Sequence, residues 1–367
     1  MKKIALYIHD LNGGGAEGVM LGLANYLVSR EYVVDFVLDR AEGALISKLD
    51  RRVNIFDLAV ADIKKAVFPL RKYLVEQQPS CVISTLKENN LNLLMAKMLT
   101  PCLDTRIIIR EANTLSEEIK LERSLINRFK HFLIKLLYSK ADKIVALSEH
   151  MKKDIVKITN VSPDNIVVIF NPVDVDEIVK ASSLGNSKFL DEKKKKIVML
   201  SRLTKVKGHF IFIDAIKELI KERNDFYCVV MGSGEDRESI IAYAQKSGVS
   251  NYIEYLGFCS NPFVELKDAD CFVQASYFEG MPNAVLQAMA LERRIVSTNS
   301  PGAIKELACL NTEILLSRVG DSQDLYMKIA ESLNGRNVSN LGGEVARKYF
   351  SKTEIFYQYE RIISGVK

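Results

Sequence analysis

The sequence predicts an α/β protein built from two doubly wound, Rossmann-like domains facing a cleft. Three observations predict it. Short runs rich in Val and Ile alternate with longer helical patterns from one end to the other. Strands that are apolar throughout, without alternation, belong to parallel sheets covered on both faces by helices. At 367 residues the chain exceeds the size at which one hydrophobic core keeps growing. Finally, the glycine-rich and charged stretches fall just after apolar runs, where open α/β sheets bind their ligands.

Taken in order, the first half offers strands in IALYIHD, VVDFVLD, CVISTL, RIIIREAN, KIVALS and IVVIFNP. The opening MKKIALYIHD has the look of a signal peptide, but its apolar run is short and Asp10 interrupts it, so it reads as a buried first strand. Asn171-Pro172 stops the last of these strands, and the stretch from there to Lys196, with Gly, Ser and the run Lys193 to Lys196, reads as a solvated linker. The second half offers IVMLSRL, FYCVVMGSG, IEYLGF, CFVQAS, RIVSTN and EILLSRVGD. This divides the chain into domains at 1–172 and 173–345 and a closing segment at 346–367, in which Val345 to Ile363 reads as a helix broken near Phe350-Ser351.

Composition narrows the function. With 48% hydrophobic and 26% charged residues the chain is globular. No uninterrupted apolar window of ~18 residues is present to span a bilayer. The six cysteines show neither metal-ligand nor redox spacing and read as reduced, buried thiols of a cytoplasmic protein. The first 172 residues carry 25 Lys and Arg against 20 Asp and Glu, whereas the remainder carries 26 against 26. The basic excess therefore lies in the first half, which suggests an acidic surface or anionic partner there; no nucleic acid is expected.

Four stretches carry candidate chemistry. Asn12-Gly13-Gly14-Gly15-Ala16-Glu17 follows the first strand and opens a helix over Val19 to Val28. Glycines there let backbone N–H groups approach an anion or sugar, or serve only the packing of a tight turn. In Ser201-Arg202-Leu203-Thr204-Lys205-Val206-Lys207-Gly208, Arg202 and Lys207 stand five residues apart across a turn and can converge on a diphosphate, or remain solvated cations. Met231-Gly232-Ser233-Gly234-Glu235 suits the base or ribose side of a nucleotide, or is only a turn. In Phe278-Glu279-Gly280-Met281-Pro282-Asn283, Glu279 can accept from sugar hydroxyls and the N–H groups of Gly280 to Asn283 open a helix, with Gln287 one turn inside it.

In this order, with LGF between and GAIKEL after the last strand, the stretches GGGAE, SRL-x-x-x-KG, GSGE and S-x-x-EGMPN-x-x-x-QAMA resemble the retaining GT-B glycosyltransferases of family 4. The similarity runs over nearly the whole chain, in particular to bacterial enzymes that build O-antigen, capsule or lipid-linked oligosaccharides. It implies a nucleotide-sugar donor, UDP-linked by preference, held mainly by the second domain, and a final helix that crosses back to the first. Arg202 and Lys207 match the family's diphosphate-binding pair, which stabilises the leaving nucleotide without a metal, so no metal or other cofactor is expected. Glu279 matches the first glutamate of the family's Glu-x7-Glu motif, placed at the donor hexose. Gly14 and Gly15 match the loop at the donor phosphates, and Gly232, Gly280, Met281, Pro282, Asn283 and Gln287 complete the expected donor site.

Two positions depart from the family pattern. Gln287 stands where the second glutamate binds ribose, and an amide keeps the hydrogen bonds while losing their charge assistance. In Arg110-Glu111-Ala112-Asn113, Ala112 stands where relatives often carry a His, which leaves the donor sugar open. Glu111, Asn113 and His9, at strand ends, are candidate contacts to acceptor or donor; His9 fits equally a strand-end imidazole bonded to backbone. For a retaining transfer the resemblance implies that the donor phosphate takes the acceptor's proton, so no protein base is assigned.

On the acceptor side, Leu121, Leu125, Ile126, Phe129, Phe132, Leu133, Leu136 and Leu137 recur at helical spacing within 119–140, with Lys120, Arg123, Arg128, Lys130 and Lys135 largely off that stripe. Such a helix lies on anionic lipid or faces the core with its cations solvated. With the resemblance, it suggests a cytoplasmic protein peripheral on the inner face of the membrane, acting on a polyprenyl-diphosphate-linked glycan. Two other readings share the architecture: a GT-B nucleotide-sugar-binding subunit with little activity, and a nucleotide-sugar 2-epimerase.

Overall fold

The structure, a computed structural model, describes residues 2–121, 125–187, 194–335 and 340–365, with backbone alone at 125–127. The chain divides into two compact units, Met1–Pro172 together with Thr353–Lys367, and Val173–Lys352.

The first unit runs β1 (Lys3–Ile8), α1 (Gly15–Ser29), β2 (Val33–Leu38), β3 (Asn54–Asp57), α2 (Val67–Gln77), β4 (Cys81–Thr85), α3 (Lys87–Met98) and β5 (Arg106–Arg110). It continues with α4 (Leu115–Leu121), α5 (Leu125–Leu137), β6 (Lys143–Ala146), α6 (Glu149–Thr159) and β7 (Ile166–Val168). The strands form a seven-stranded sheet in the order β3-β2-β1-β4-β5-β6-β7, every pair parallel. The reversal of order at β1 and β4 is the switch point at which open α/β sheets take ligands. Strand β3 is absent from the sequence reading: at the sheet edge its four residues NIFD are mostly exposed, so no apolar run announces it.

The second unit opens with α7 (Val175–Ser182), β8 (Lys195–Leu200), α8 (His209–Leu219), β9 (Phe226–Met231), α9 (Arg237–Lys246), β10 (Ile253–Gly257), α10 (Phe263–Leu266) and β11 (Cys271–Gln274). It closes with α11 (Asn283–Ala290), β12 (Ile295–Thr298), α12 (Ile304–Leu310), β13 (Ile314–Ser317), α13 (Ser322–Asn334) and α14 (Leu341–Phe350). Its six strands, all parallel, lie in the order β10-β9-β8-β11-β12-β13.

Two segments differ from their sequence reading. The stretch to Lys196 is not a bare linker: Asp174 caps α7 by accepting from the Glu177 N–H, Lys195 opens β8, and Lys196 is buried against Glu265. A lysine at the amino end of a parallel strand is tolerated inside because Glu265 and Ser187 meet its ammonium. Lys193 lies outside the described residues. The closing segment is two helices, α14 in the second unit and α15 (Lys352–Ser364), separated at Ser351, which bridges to Val173.

From α15, Ile355, Phe356, Tyr359 and Ile363 enter the core of the first unit beside Ile4, Leu6, Leu23 and Leu27. Tyr26 donates to Glu360 at 2.9 Å, fixing that helix on α1. The second core gathers β8, β9 and β11 with α8 and α13 through residues such as Ile197, Val230, Val273, Phe212 and Leu325. Cys81, Cys228 and Cys271 are buried free thiols as expected of apolar strands, but Cys102, in the loop after α3, and Cys309, within α12, are exposed, and Cys259 is half-buried.

Candidate functional site

The candidate site of the second unit is assembled by loops at the carboxyl edge of its sheet. After β8 the chain makes a short 3₁₀ turn, Lys205–Lys207, ended by Gly208 with φ +70°. A side chain there would be strained, and a Cβ would stand 1.9 Å from the Ala275 carbonyl oxygen after β11. Gly232 serves the same purpose: a Cβ would stand 1.9 Å from the Ser201 carbonyl oxygen. These glycines let one loop lie backbone to backbone on the next. The Leu203 N–H donates to Ser233 O at 2.9 Å, and Asp236 accepts from the Lys205 N–H at 2.8 Å.

This stitching delivers Lys207 to Glu279. The Lys207 ammonium lies 2.6 Å from Glu279 Oε1. The same oxygen accepts from Ser276 Oγ at 2.7 Å and Gln274 Nε2 at 3.0 Å. Both members of the pair are largely shielded from solvent, at 16% and 11% side-chain exposure. Three donors on one oxygen hold the carboxylate in place. The loop itself is fastened by the Glu279 N–H to Pro301 O at 2.9 Å and the Ala303 N–H to Gly280 O at 2.8 Å.

Arg202 is exposed, and its guanidinium meets no partner among the described residues. Its backbone, in contrast, is fixed by His209, whose Nε2 lies 3.0 Å from the Arg202 carbonyl and 3.2 Å from Ser201 Oγ. A carbonyl only accepts, so Nε2 carries the proton. Burial, together with the Lys207 charge, pushes the His209 pKa down and keeps the ring neutral.

Helix α11 begins at Asn283 with Pro282 as its cap. Pro282 has no N–H, so of Gly280 to Asn283 it cannot donate to an anion. Gly280, Met281 and Pro282 are buried and frame the loop, while Asn283 is half-exposed at the helix start. The Gln287 amide is half-exposed and has no partner among the described residues.

In the first unit, Gly14 caps α1 without a side-chain bond and Gly15 is its first residue. Both are exposed, and the Glu17 carboxylate lies over Gly14, where a Cβ would stand 2.3 Å from its Oε2. His9 follows β1 and binds Asp39. Glu111 does not reach the surface: it is 1% exposed and accepts from Asn90 Nδ2 at 2.9 Å and from the Tyr138 hydroxyl. Burial pushes its pKa up to about 8. Asn113 donates to Glu118 at 2.7 Å. The structure therefore brings Lys207 and Glu279 together and places Glu111 apart in a buried polar cluster.

Sequence reasoning missed Ser276, Gln274, His209 and Asp39. The legible signal for two of them was polarity at alternate positions of CFVQAS, at the end of β11 and just beyond it, where both side chains reach the same Glu279 oxygen. Among the described residues no group of three or more His, Cys, Asp or Glu could hold a metal ion.

The stripe in 119–140 divides in two. Ile134, Leu137 and Tyr138 are buried, whereas Phe129 and Phe132, each 60% exposed, and Leu136 stand outward with Leu121. Arg128, Lys135 and Lys140 are exposed beside them, while Lys130 is paired with Glu88 at 2.9 Å. The side chains of Arg123, Leu125 and Ile126 lie outside the described residues. No helix among the described residues is long and apolar enough to cross a membrane.

Comparison with known proteins adds to this geometry. The family model described as Glycosyltransferase Family 4 matches residues 13–177, and that described as Glycosyl transferases group 1 matches residues 183–349. A Campylobacter jejuni protein is 26% identical over 97% of each chain and is named N-acetylgalactosamine-N,N'-diacetylbacillosaminyl-diphospho-undecaprenol 4-alpha-N-acetylgalactosaminyltransferase. A second, from the same organism, is 27% identical over 92% of this chain and 90% of its own, and is named as an alpha-1,4-N-acetyl-D-galactosaminyltransferase acting on a GalNAc-extended diNAcBac-PP-undecaprenol. Among solved structures, Anabaena Alr3699/HepE in complex with UDP and glucose superposes with a TM-score of 0.80 over 100% of both chains at 17% identity.

Proposed function

We propose, from the premise that this chain belongs to the GT-B glycosyltransferases of family 4, that it moves a hexose or N-acetylhexosamine from a UDP-sugar to a lipid-diphosphate-linked glycan in surface polysaccharide synthesis. The observation that carries the reading is the Lys207–Glu279 pair with its Ser276 and Gln274 donors, beside an exposed Arg202. Departure of a nucleotide diphosphate needs cations already in place, and a developing oxocarbenium-like sugar needs a fixed acceptor for its hydroxyls. Arg202 and Lys207 fill the first role, Glu279 the second, and Gln287 accepts and donates at the ribose. The Campylobacter jejuni names support the lipid-linked acceptor, and the Alr3699/HepE complex supports a UDP-linked donor.

Transfer proceeds with retention and without a metal: the hydroxyl attacks the anomeric carbon on the face that the diphosphate leaves, and a donor phosphate oxygen takes its proton. Gly14 and Gly15 offer backbone N–H groups to the donor phosphates. The outward Phe129, Phe132 and Leu136, flanked by Arg128, Lys135 and Lys140, seat the first unit on anionic lipid at the inner face of the cytoplasmic membrane.

The test is binding of a panel of nucleotides and nucleotide-sugars in metal-free buffer, followed by transfer to lipid-diphosphate-linked sugars with anomeric analysis of the product. Selective binding of one nucleoside diphosphate by wild type, lost in Lys207→Ala, is the expected result. Binding with no transfer to any acceptor would leave a donor-binding subunit, and an inverted product would overturn retention.

A further inference from the structure

At the carboxyl edge of the first sheet a buried carboxylate holds an imidazole. Asp39 is 0% exposed and both its oxygens are engaged: the Tyr7 hydroxyl donates to Oδ1 at 2.8 Å, and His9 Nδ1 lies 2.8 Å from Oδ2. Tyr7 and His9 are two residues apart and so point to one face of the sheet. Asp39 faces them because β1 and β2 pair in parallel with Ile8 opposite Leu38, a register that the Asp39 N–H to Ile8 O and Arg40 N–H to His9 O bonds carry one step further. Burial raises the pKa of the Asp39 carboxyl, and the bonds from His9 and Tyr7 oppose that rise.

A carboxylate only accepts, so a proton is held on His9 Nδ1, and in the neutral ring Nε2 is left as a hydrogen-bond acceptor. The imidazole is 25% exposed, and its Nε2 meets no partner among the described residues. Arg40 does not compete for Asp39, being paired with Asp10 at 3.3 Å and Glu42 at 3.6 Å. Next to the Tyr7 hydroxyl, on which it acts as a hydrogen-bonding group, lies Asn89, fully buried, whose amide is otherwise without a partner. Leu86, just before it in the turn from β4 to α3, has φ +75°. A non-glycine residue held there and an incompletely satisfied buried amide both mark a place built for something other than stability.

We propose that His9 is an acceptor-binding residue, its Nε2 taking the hydrogen bond of the attacking glycan hydroxyl, and that Asp39 is the positioning residue which fixes its tautomer. The inference rests on the glycosyl-transfer reading above. His9 aims the oxygen. As the bond from the anomeric carbon to the departing diphosphate breaks and that to the acceptor oxygen forms, the hydroxyl proton passes to a phosphate oxygen of the leaving group, so His9 ends the step unchanged.

The experiment compares wild type with His9→Gln, His9→Phe and Asp39→Asn, using UDP-N-acetylhexosamine and an undecaprenyl-diphosphate-linked N-acetylhexosamine. Both His9 variants are expected to lower kcat/KM for the acceptor, His9→Phe by tenfold or more and His9→Gln by less, while the donor Kd stays within about twofold. Long-range proton–nitrogen NMR of wild type is expected to show the His9 proton on Nδ1, and of Asp39→Asn to show it shifted to Nε2 with a lowered acceptor kcat/KM. An unchanged acceptor kcat/KM in His9→Phe, or a wild-type proton on Nε2, would overturn the proposal alone. Absence of donor binding and transfer in wild type would overturn it together with the parent reading.

Discussion

Lys207 and Glu279, 72 residues apart in the chain, meet in a 2.6 Å ion pair whose acceptor oxygen also receives Ser276 and Gln274. Removing either partner leaves the other charge largely buried without its counterion. Lys207→Ala and Glu279→Ala are each expected to lower kcat/KM by about a hundred- to a thousandfold, the range for loss of one preorganised group at the reacting centre. Steady-state kinetics of the two single variants and the double variant checks this. The double variant is expected to fall short of the product of the two losses, because contacting residues couple.

The half-exposed Gln287 amide, free of partners among the described residues, has room for a carboxylate. Gln287→Glu is expected to keep or tighten UDP binding, by up to about tenfold, since a charge-assisted hydrogen bond is roughly twice as strong as a neutral one. Calorimetry with UDP reads it. Complete loss of binding would show that the amide N–H has its own partner on the nucleotide.

Gly208 is the backbone hinge of the cation loop. Gly208→Ala would set a Cβ 1.9 Å from the Ala275 carbonyl at a φ of +70°. Overpacking and left-handed strain together are expected to cost at least about 2 kcal/mol of second-unit stability. Denaturant unfolding followed by a probe in that unit measures the cost, and weakened nucleotide binding should accompany it.

The outward aromatic pair predicts a separation of stability from lipid binding. Phe129→Ser with Phe132→Ser is expected to leave the melting temperature within about 2 °C, because both side chains are already exposed. Binding to phosphatidylglycerol vesicles should fall several-fold or more, and the residual binding should weaken further with salt as Arg128, Lys135 and Lys140 are screened. Vesicle co-sedimentation against ionic strength is the measurement.

Glu111 gives a pH dependence with a definite sign. Its pKa is raised by burial from 4.5 to about 8 in the folded protein. Below about 4.5 both folded and unfolded chains hold the proton, so stability is unaffected there. Between about 4.5 and 8 the folded chain binds more protons than the unfolded one, so stability falls as pH rises, by up to a few kcal/mol. Glu111→Gln keeps the buried hydrogen-bond partners without the ionisable group. It is expected to flatten that slope in melting experiments between pH 5 and 8, and to leave the variant at least as stable as wild type at pH 8.

The alternation of apolar strand runs and helical stretches was legible because a parallel sheet covered on both faces demands residues such as those of IALYIHD and IVMLSRL. Twelve of the strands followed from that demand. The edge strand β3 did not, since exposure at a sheet edge removes the apolar signal. Lys196 and Glu111 were misread for a shared reason: each is a charged residue in or next to a strand, and only a distant partner makes its burial tolerable. For Lys196 that partner is Glu265, and for Glu111 it is Asn90 with Tyr138.

What the sequence by itself determined is the fold class, the family and the turns that carry Arg202, Lys207, Glu279 and Gln287, because periodicity, glycine and proline act on near neighbours in the chain. What only the tertiary structure decided is the pairing: Lys207 with Glu279, His9 with Asp39, and the division of one helical stripe into an inward Ile134 and an outward Phe132. Parallel strands return each loop to the same sheet edge after an excursion through a helix. Contacts made there join residues that chain order keeps far apart.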